Sequence, residues 1–200
     1  MAERARDAVD ERGALMTEAA ASPGGRTARP RWGVVVTWIF VLGLLGVLGF
    51  GLMRSQQGPI GLGAQIPDLS LTTFEGETID LAGLRGNVVV INFWASWCKP
   101  CEEEAAALEQ AWRDYREQGV VFLGVNYVDT RPEALTYLER FEITYPNGPD
   151  LGTRISQAFR IRGVPATYVV DRQGVVAAVM IGPYESLGDI EADIQSALGD

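Results

Sequence analysis

Val88-Val89-Val90-Ile91-Asn92-Phe93-Trp94-Ala95-Ser96-Trp97-Cys98-Lys99-Pro100-Cys101 passes from an apolar run into two cysteines three positions apart. Such a run suits a strand covered on both faces. The residues after it keep a helical period as far as Gln118, where Gly119 stops them. The cysteine pair therefore sits where a strand gives way to a helix. Cys98 and Cys101 are the chain's only cysteines, so strong thiol chemistry has one address. Two thiols at this spacing can close a small disulfide ring or open to a dithiol. At a helix start the first sulfur faces the partial positive charge of unpaired N–H groups. That favours its thiolate, the attacking species in disulfide exchange. A redox pair and an inert structural disulfide both fit the spacing. A closed zinc site wants four ligands, and without histidine or further cysteine only carboxylates remain to supply them.

The helix after the motif assigns roles. Counting about 100° per residue from Cys101, Ala105, Leu108, Trp112 and Tyr115 all fall within about 40° of it. This predicts that Cys101 is buried and that Cys98, at the strand's end, is the exposed thiol: Cys98 attacks and Cys101 resolves. Of Glu102, Glu103 and Glu104, only Glu104 borders the apolar face. A carboxylate in apolar surroundings has a raised pKa, which makes Glu104 a candidate to pass protons to and from Cys101. Its charge would oppose a nearby thiolate, whereas Lys99 would favour one. Glu102 and Glu103 read as first-turn acids facing the helix's positive end, and Pro100 as a fixed φ in that turn. Trp94 reads as packing and Trp97 as a rim that can touch a docked peptide. Gly163-Val164-Pro165-Ala166-Thr167 leads into another strand. Pro165 is either an ordinary strand-start proline or a cis proline. If cis, it would expose the Val164 backbone beside Cys98 for pairing with an extended substrate.

Outward from this centre the chain alternates strand and helix. Leu69–Thr72 and Thr78–Leu81 read as a hairpin, Val120–Val125 as a second buried strand, and Arg131–Phe141 as a helix with Pro132 in its first turn. Tyr145–Leu151 reads as a loop before a short helix over Gly152–Phe159. Thr167–Val170 and Val175–Met180 form a hairpin, and Ser186–Leu198 closes the chain as a helix capped by Ser186. The order β-β-β-α-β-α-(α)-β-β-α predicts an α/β fold, a mixed sheet with helices on both faces.

Gly33 to Met53 carries no charge over 21 residues, a helix of roughly 30 Å at about 1.5 Å per residue. It exceeds the apolar core of a signal peptide, about 7–15 residues, and is expected to be an uncleaved anchor. Arg26, Arg29 and Arg31 precede it and Arg54 alone follows, which places the N-terminus in the cytoplasm and the rest outside. The expected organisation is a disordered cytoplasmic tail over 1–31, a transmembrane anchor over 32–53, a flexible linker over 54–64 and a domain over 65–200. That domain holds 10 Lys and Arg against 21 Asp and Glu, a net charge of −11. It would repel nucleic acid and anionic lipid, so neither is an expected partner beyond the anchor's own bilayer.

Phe93-Trp94-Ala95-Ser96-Trp97-Cys98-Lys99-Pro100-Cys101, then Glu104, then Gly163-Val164-Pro165-Ala166-Thr167-Tyr168-Val169-Val170-Asp171 resembles the TlpA/ResA/CcmG family of membrane-anchored thioredoxins. Asn92 stands where ordinary thioredoxins place a buried Asp, while Glu104 matches the family's buried acid. The resemblance implies a thioredoxin-like fold, a Cys98–Cys101 disulfide and a cis Val164–Pro165 bond; no cofactor and no metal are expected. It also implies reduction of disulfides in exported proteins, notably apocytochromes c before haem attachment. Electrons would come from a membrane thiol carrier related to the transmembrane part of DsbD. A general oxidant or isomerase, or a binding module with a structural disulfide, are the alternatives. A peroxide-reducing enzyme on the same fold would want a cysteine outside the pair, and the chain has none.

Overall fold

The computed structural model describes residues 32–55 and 59–199. The tail expected over 1–31 lies outside the described residues, as does 56–58 of the expected linker. The chain divides into two units, Met1–Leu52 and Met53–Asp200. In the first, α1 (Trp32–Ser55) is a continuous helix whose stretch Trp32–Gly51 is long and apolar enough to cross a membrane. Its side chains from Trp32 to Gly51 are all exposed.

The second unit is built on a five-stranded sheet. Its strands are β3 (Val88–Trp94), β4 (Val120–Asn126), β5 (Asn147–Pro149), β6 (Ala166–Val170) and β7 (Val176–Ile181), in the order β5-β4-β3-β6-β7. Parallel pairs join β3 to β4 and β4 to β5, while β6 pairs antiparallel with both β3 and β7. All seven residues of β3 are buried, because the strand lies centrally with helices on both faces. Val89, Ile91 and Phe93 face the side that holds Ile155 and Phe159 of α4 (Arg154–Phe159). Val88 and Val90 face α2 (Lys99–Tyr115) and α5 (Leu187–Leu198), through Leu108, Ala111, Ile190 and Ile194. Each such aliphatic chain contributes about 1.5–3 kcal/mol on burial. α2 gives way to a short 3-10 turn that ends at Gly119, with φ 78°. Ser186 caps α5 by accepting the Asp189 N–H.

The expected hairpin forms from β1 (Ser70–Thr72) and β2 (Thr78–Asp80), as a two-stranded sheet of its own. One expectation is corrected. The segment read as a loop over Tyr145–Leu151 contains β5, whose Asn-Gly-Pro sequence resembles a turn. It becomes a strand by pairing with the edge of β4, Gly124 against Asn147 and Asn126 against Pro149. Within the span read as a linker over 54–64, backbone groups from Ile60 onward have partners in the domain. Ile60 N–H donates to Phe159 O at 3.1 Å, Gly63 N–H to Val176 O at 2.9 Å, and Val176 N–H to Ala64 O at 2.9 Å. Ile60 also packs against the core beside Phe159. A glycine-rich composition did not reveal that these backbone groups find partners.

Candidate active site

The strand β3 delivers Cys98 to the start of α2, where it is the helix N-cap with extended φ and ψ. Its Sγ accepts the Cys101 N–H at 3.2 Å, and the two sulfurs are joined in a disulfide with Cα atoms 5.3 Å apart. The thiol roles drawn from the helix face require one correction: Cys98 is 3% exposed and Cys101 1%. Cys98 is not an open sulfur in this state. A single helix wheel sees one face, whereas Cys98 packs in a cluster with Phe74, Trp94, Ala95, Ala134 and Tyr137, and Val164 lies against that cluster. The exposed rim is Trp97, at 60%, whose indole N–H donates to Val128 O at 3.1 Å.

Glu104, one helical turn beyond Cys101, is 1% exposed. Asn92 Nδ2 donates to its Oε1 and the Tyr184 N–H to its Oε2, both at 2.9 Å. Burial lifts the carboxyl to about 7, against the opposing pull of the Tyr184 and Asn92 hydrogen bonds. It can therefore exchange a proton at neutral pH. Asn92 also donates to Thr167 Oγ1 at 2.9 Å, which ties this carboxylate to β6 just after the proline loop. The Val164–Pro165 peptide bond is cis, and Pro165 O accepts the Gly182 N–H at 3.0 Å. Lys99 Nζ is bound to Glu102 Oε2 at 2.6 Å, and Arg140 Nη1 to Glu102 Oε1 at 3.4 Å. The Lys99 hydrogen bond, with help from Arg140, holds the Glu102 carboxyl below its usual value. The charge expected of Lys99 beside the thiol is thus shared with a carboxylate, and Glu102 is an ion-pair partner as well as a first-turn acid.

The structure adds residues that the sequence did not single out. Asp129 lies just beyond the C-terminal end of β4, in α3's approach (α3, Arg131–Arg140). It accepts the Ser96 N–H at 2.7 Å, Ser96 Oγ–H at 2.8 Å, Asn126 Nδ2 at 3.0 Å and the Thr130 N–H at 3.0 Å. Burial acts to raise its pKa, but the donors from Asn126, Ser96 and Thr130 prevail and lower it. Tyr137 Oη donates to Cys101 O at 2.8 Å, and its ring stacks on Trp94 at 4.5 Å. Trp94 in turn donates to Asn147 Oδ1 at 2.7 Å. The signal was present for Asp129, because parallel neighbours β3 and β4 bring the segments after their C-terminal ends together.

The chain that carries this arrangement is similar to known proteins. The AhpC/TSA family model covers residues 62–179. The thiol-disulfide oxidoreductase ResA of Geobacillus kaustophilus is 30% identical over 166 residues, 82% of this chain and 95% of that protein. A thiol:disulfide interchange protein of the thioredoxin family from Chlorobium tepidum superposes with a TM-score of 0.64 at 28% identity, covering 70% of this chain and 99% of that one. A putative thiol:disulfide interchange protein DsbE from Chlorobium tepidum gives 0.65 at 26%, with the same coverage.

Proposed function

The chain belongs to the AhpC/TSA family and is a thiol-disulfide oxidoreductase, and we propose that it acts outside the cytoplasm as a reductase of disulfides in exported proteins. Its client would be apocytochrome c before haem attachment. The observation that carries this reading is the Cys98–Cys101 disulfide at the head of α2, with the buried Glu104 carboxyl one turn on. Arg26, Arg29 and Arg31 before the apolar stretch, against Arg54 alone after it, support the extracytoplasmic placement. In that arrangement 1–31 is a cytoplasmic tail, 32–53 the anchor and 65–200 the catalytic domain.

The reaction starts from the dithiol. The Cys98 thiolate attacks one sulfur of the client's disulfide, the client's S–S bond breaks, and its departing sulfur takes a proton. A mixed disulfide now joins Cys98 to the client. Glu104, as carboxylate, takes the proton of Cys101, whose thiolate attacks Cys98 Sγ. The mixed S–S bond breaks and the client's second thiol is released and protonated. Two electrons and two protons have passed to the client, and the enzyme is left in its Cys98–Cys101 disulfide form. A membrane dithiol, related to the transmembrane part of DsbD, restores the reduced pair by the same exchange in reverse. Trp97, Val164 and Pro165 are the client-contacting residues.

Trapping tests the reading. The full-length Cys101→Ala protein, expressed in a cell that makes c-type cytochromes, should accumulate mixed disulfides at Cys98 that contain an apocytochrome. Adducts that contain only other exported proteins would remove the cytochrome assignment. A strongly oxidising equilibrium constant of the wild-type pair against glutathione would remove the direction.

A further inference from the structure

The 20 residues from Leu151 to Val170 contain Arg154, Arg160 and Arg162 and no acid, inside a domain whose net charge is −11. All three arginines are exposed, and none has an ion-pair partner among the described residues. Arg162 precedes Val164 by two residues, so their Cα atoms lie within about 7 Å of each other. Val164 packs against the cluster that holds Cys98. The turn that carries Arg160 and Arg162 is fixed, since Arg160 N–H donates to Gln157 O and Ile161 N–H to Ser156 O, both at 3.1 Å. Phe159 O is held by the Ile60 N–H as well.

The other sides of the disulfide carry the opposite sign or are neutralised. Lys99 and Arg140 are bound to Glu102. Glu103 in the first turns of α2, Glu185 just before α5 and Glu133 in α3 are exposed acids, and Asp129 before α3 is half-buried. Arg131 also has no ion pair among the described residues, but it is engaged with Phe74, whose carbonyl it donates to and whose ring centroid lies 5.5 Å from its guanidinium; the unengaged positive charge is on the segment that leads into the proline loop. We infer that Arg160 and Arg162 form a docking surface for an acidic segment of the disulfide-bearing protein partner, seated along the Val164–Pro165 loop. An extended anionic surface such as a bilayer or nucleic acid meets the domain's −11 charge as a whole. A short acidic segment meets two arginines locally, within a Debye length of about 10 Å at 0.1 M salt. This rests on the reading of the protein as an oxidoreductase that exchanges with polypeptide disulfides.

The test compares two disulfide peptides, identical except that two residues near the cysteine are Glu in one and Lys in the other. Reduced full-length protein in zwitterionic nanodiscs should reduce the Glu peptide about tenfold faster at low ionic strength, approaching parity at high salt. Arg160→Glu/Arg162→Glu should invert the preference. Arg116→Glu/Arg172→Glu, an equal charge change at the far end of the sheet, should leave the Glu peptide favoured. A rate ratio that Arg160→Glu/Arg162→Glu does not move, or that both double variants move alike, would overturn the inference while leaving the enzyme reading intact. So would a preference lost only in nanodiscs of anionic lipid, which would mark lipid as the occupant. Reduction of neither peptide by the wild type would remove the underlying enzyme reading instead.

Discussion

In the reaction proposed above, Glu104 would set the pH scale of the resolving step. Its carboxyl, lifted by burial to about 7, accepts a proton from Cys101 only when ionised, so the release rate of a mixed disulfide should rise with pH through about 7. Glu104→Gln preserves the shape of the site. Its oxygen can still accept the Tyr184 N–H, and Asn92 can turn its amide so that its oxygen receives the Gln amide and the Thr167 hydroxyl. In rapid-quench measurements the variant should lose the rise near pH 7, and at pH 8 its release should slow by about 10²-fold, the low end of acid–base contributions. An unchanged profile would remove Glu104 from proton transfer. Tyr168 offers a contrast. Its hydroxyl is the one buried side-chain polar atom without a hydrogen bond among the described residues, and its ring packs between Phe93 and Phe159. Deleting an oxygen that has no partner removes a desolvation cost, so Tyr168→Phe should be neutral or more stable by up to about 1 kcal/mol in denaturant titrations.

At the level of elements, the turn Ala95-Ser96-Trp97 is held by Asp129 across the gap between β3 and β4. Asp129→Ala removes an acceptor from the Ser96 N–H and hydroxyl, the Asn126 amide and the Thr130 N–H at once. A loss of about 1.5–3 kcal/mol is expected, the range for hydrogen bonds to a charged group, read as a lower denaturant midpoint. Ser96→Ala keeps the backbone bond and should cost less. Most elements were legible because each carries its own signal. β3 and β4 are apolar runs, α3 has Pro132 near its start, and α2 and α5 have caps and glycine ends. β5 has no such signal, since its strand character comes from β4. It also needs bare backbone around it. A Cβ on Gly148 would lie 2.3 Å from Thr72 O, and one on Gly124 would lie 1.6 Å from Asn147 Oδ1. The burial of Cys98 was illegible for a related reason, because Phe74, Ala134, Tyr137 and Val164, which join its neighbours Trp94 and Ala95 around it, come from distant parts of the chain. Cys101 and Glu104 were placed from α2's own periodicity, which is local.

Across the whole molecule, two opposed proton linkages shape stability. Glu102 and Asp129 have lowered carboxyl pKa values. They contribute stability above the ordinary carboxylate range and lose it as pH falls through their folded values. Glu104 is opposite in sign, because its folded pKa of about 7 lies above the ordinary 4.5. The folded state binds its proton more tightly, so this contribution is complete below about 4.5 and is lost as pH rises toward 7. At 1.36 kcal/mol per unit the loss is about 3 kcal/mol over that window. The oxidised protein should therefore be most stable near pH 4.5–5 and weaken toward neutrality, rather than hold a plateau through pH 7. General repulsion among the domain's acids would give a shallow decline of the same sign, so the wild-type curve alone does not isolate Glu104. The comparison with Glu104→Gln does. Chemical denaturation of the full-length oxidised chain in neutral detergent, followed by tryptophan fluorescence between pH 4 and 8, should show a steep fall in the wild type. The variant should fall far less. If both decline in parallel, the carboxyl titrates near its ordinary value, and the proton acceptor for Cys101 must be water or another group.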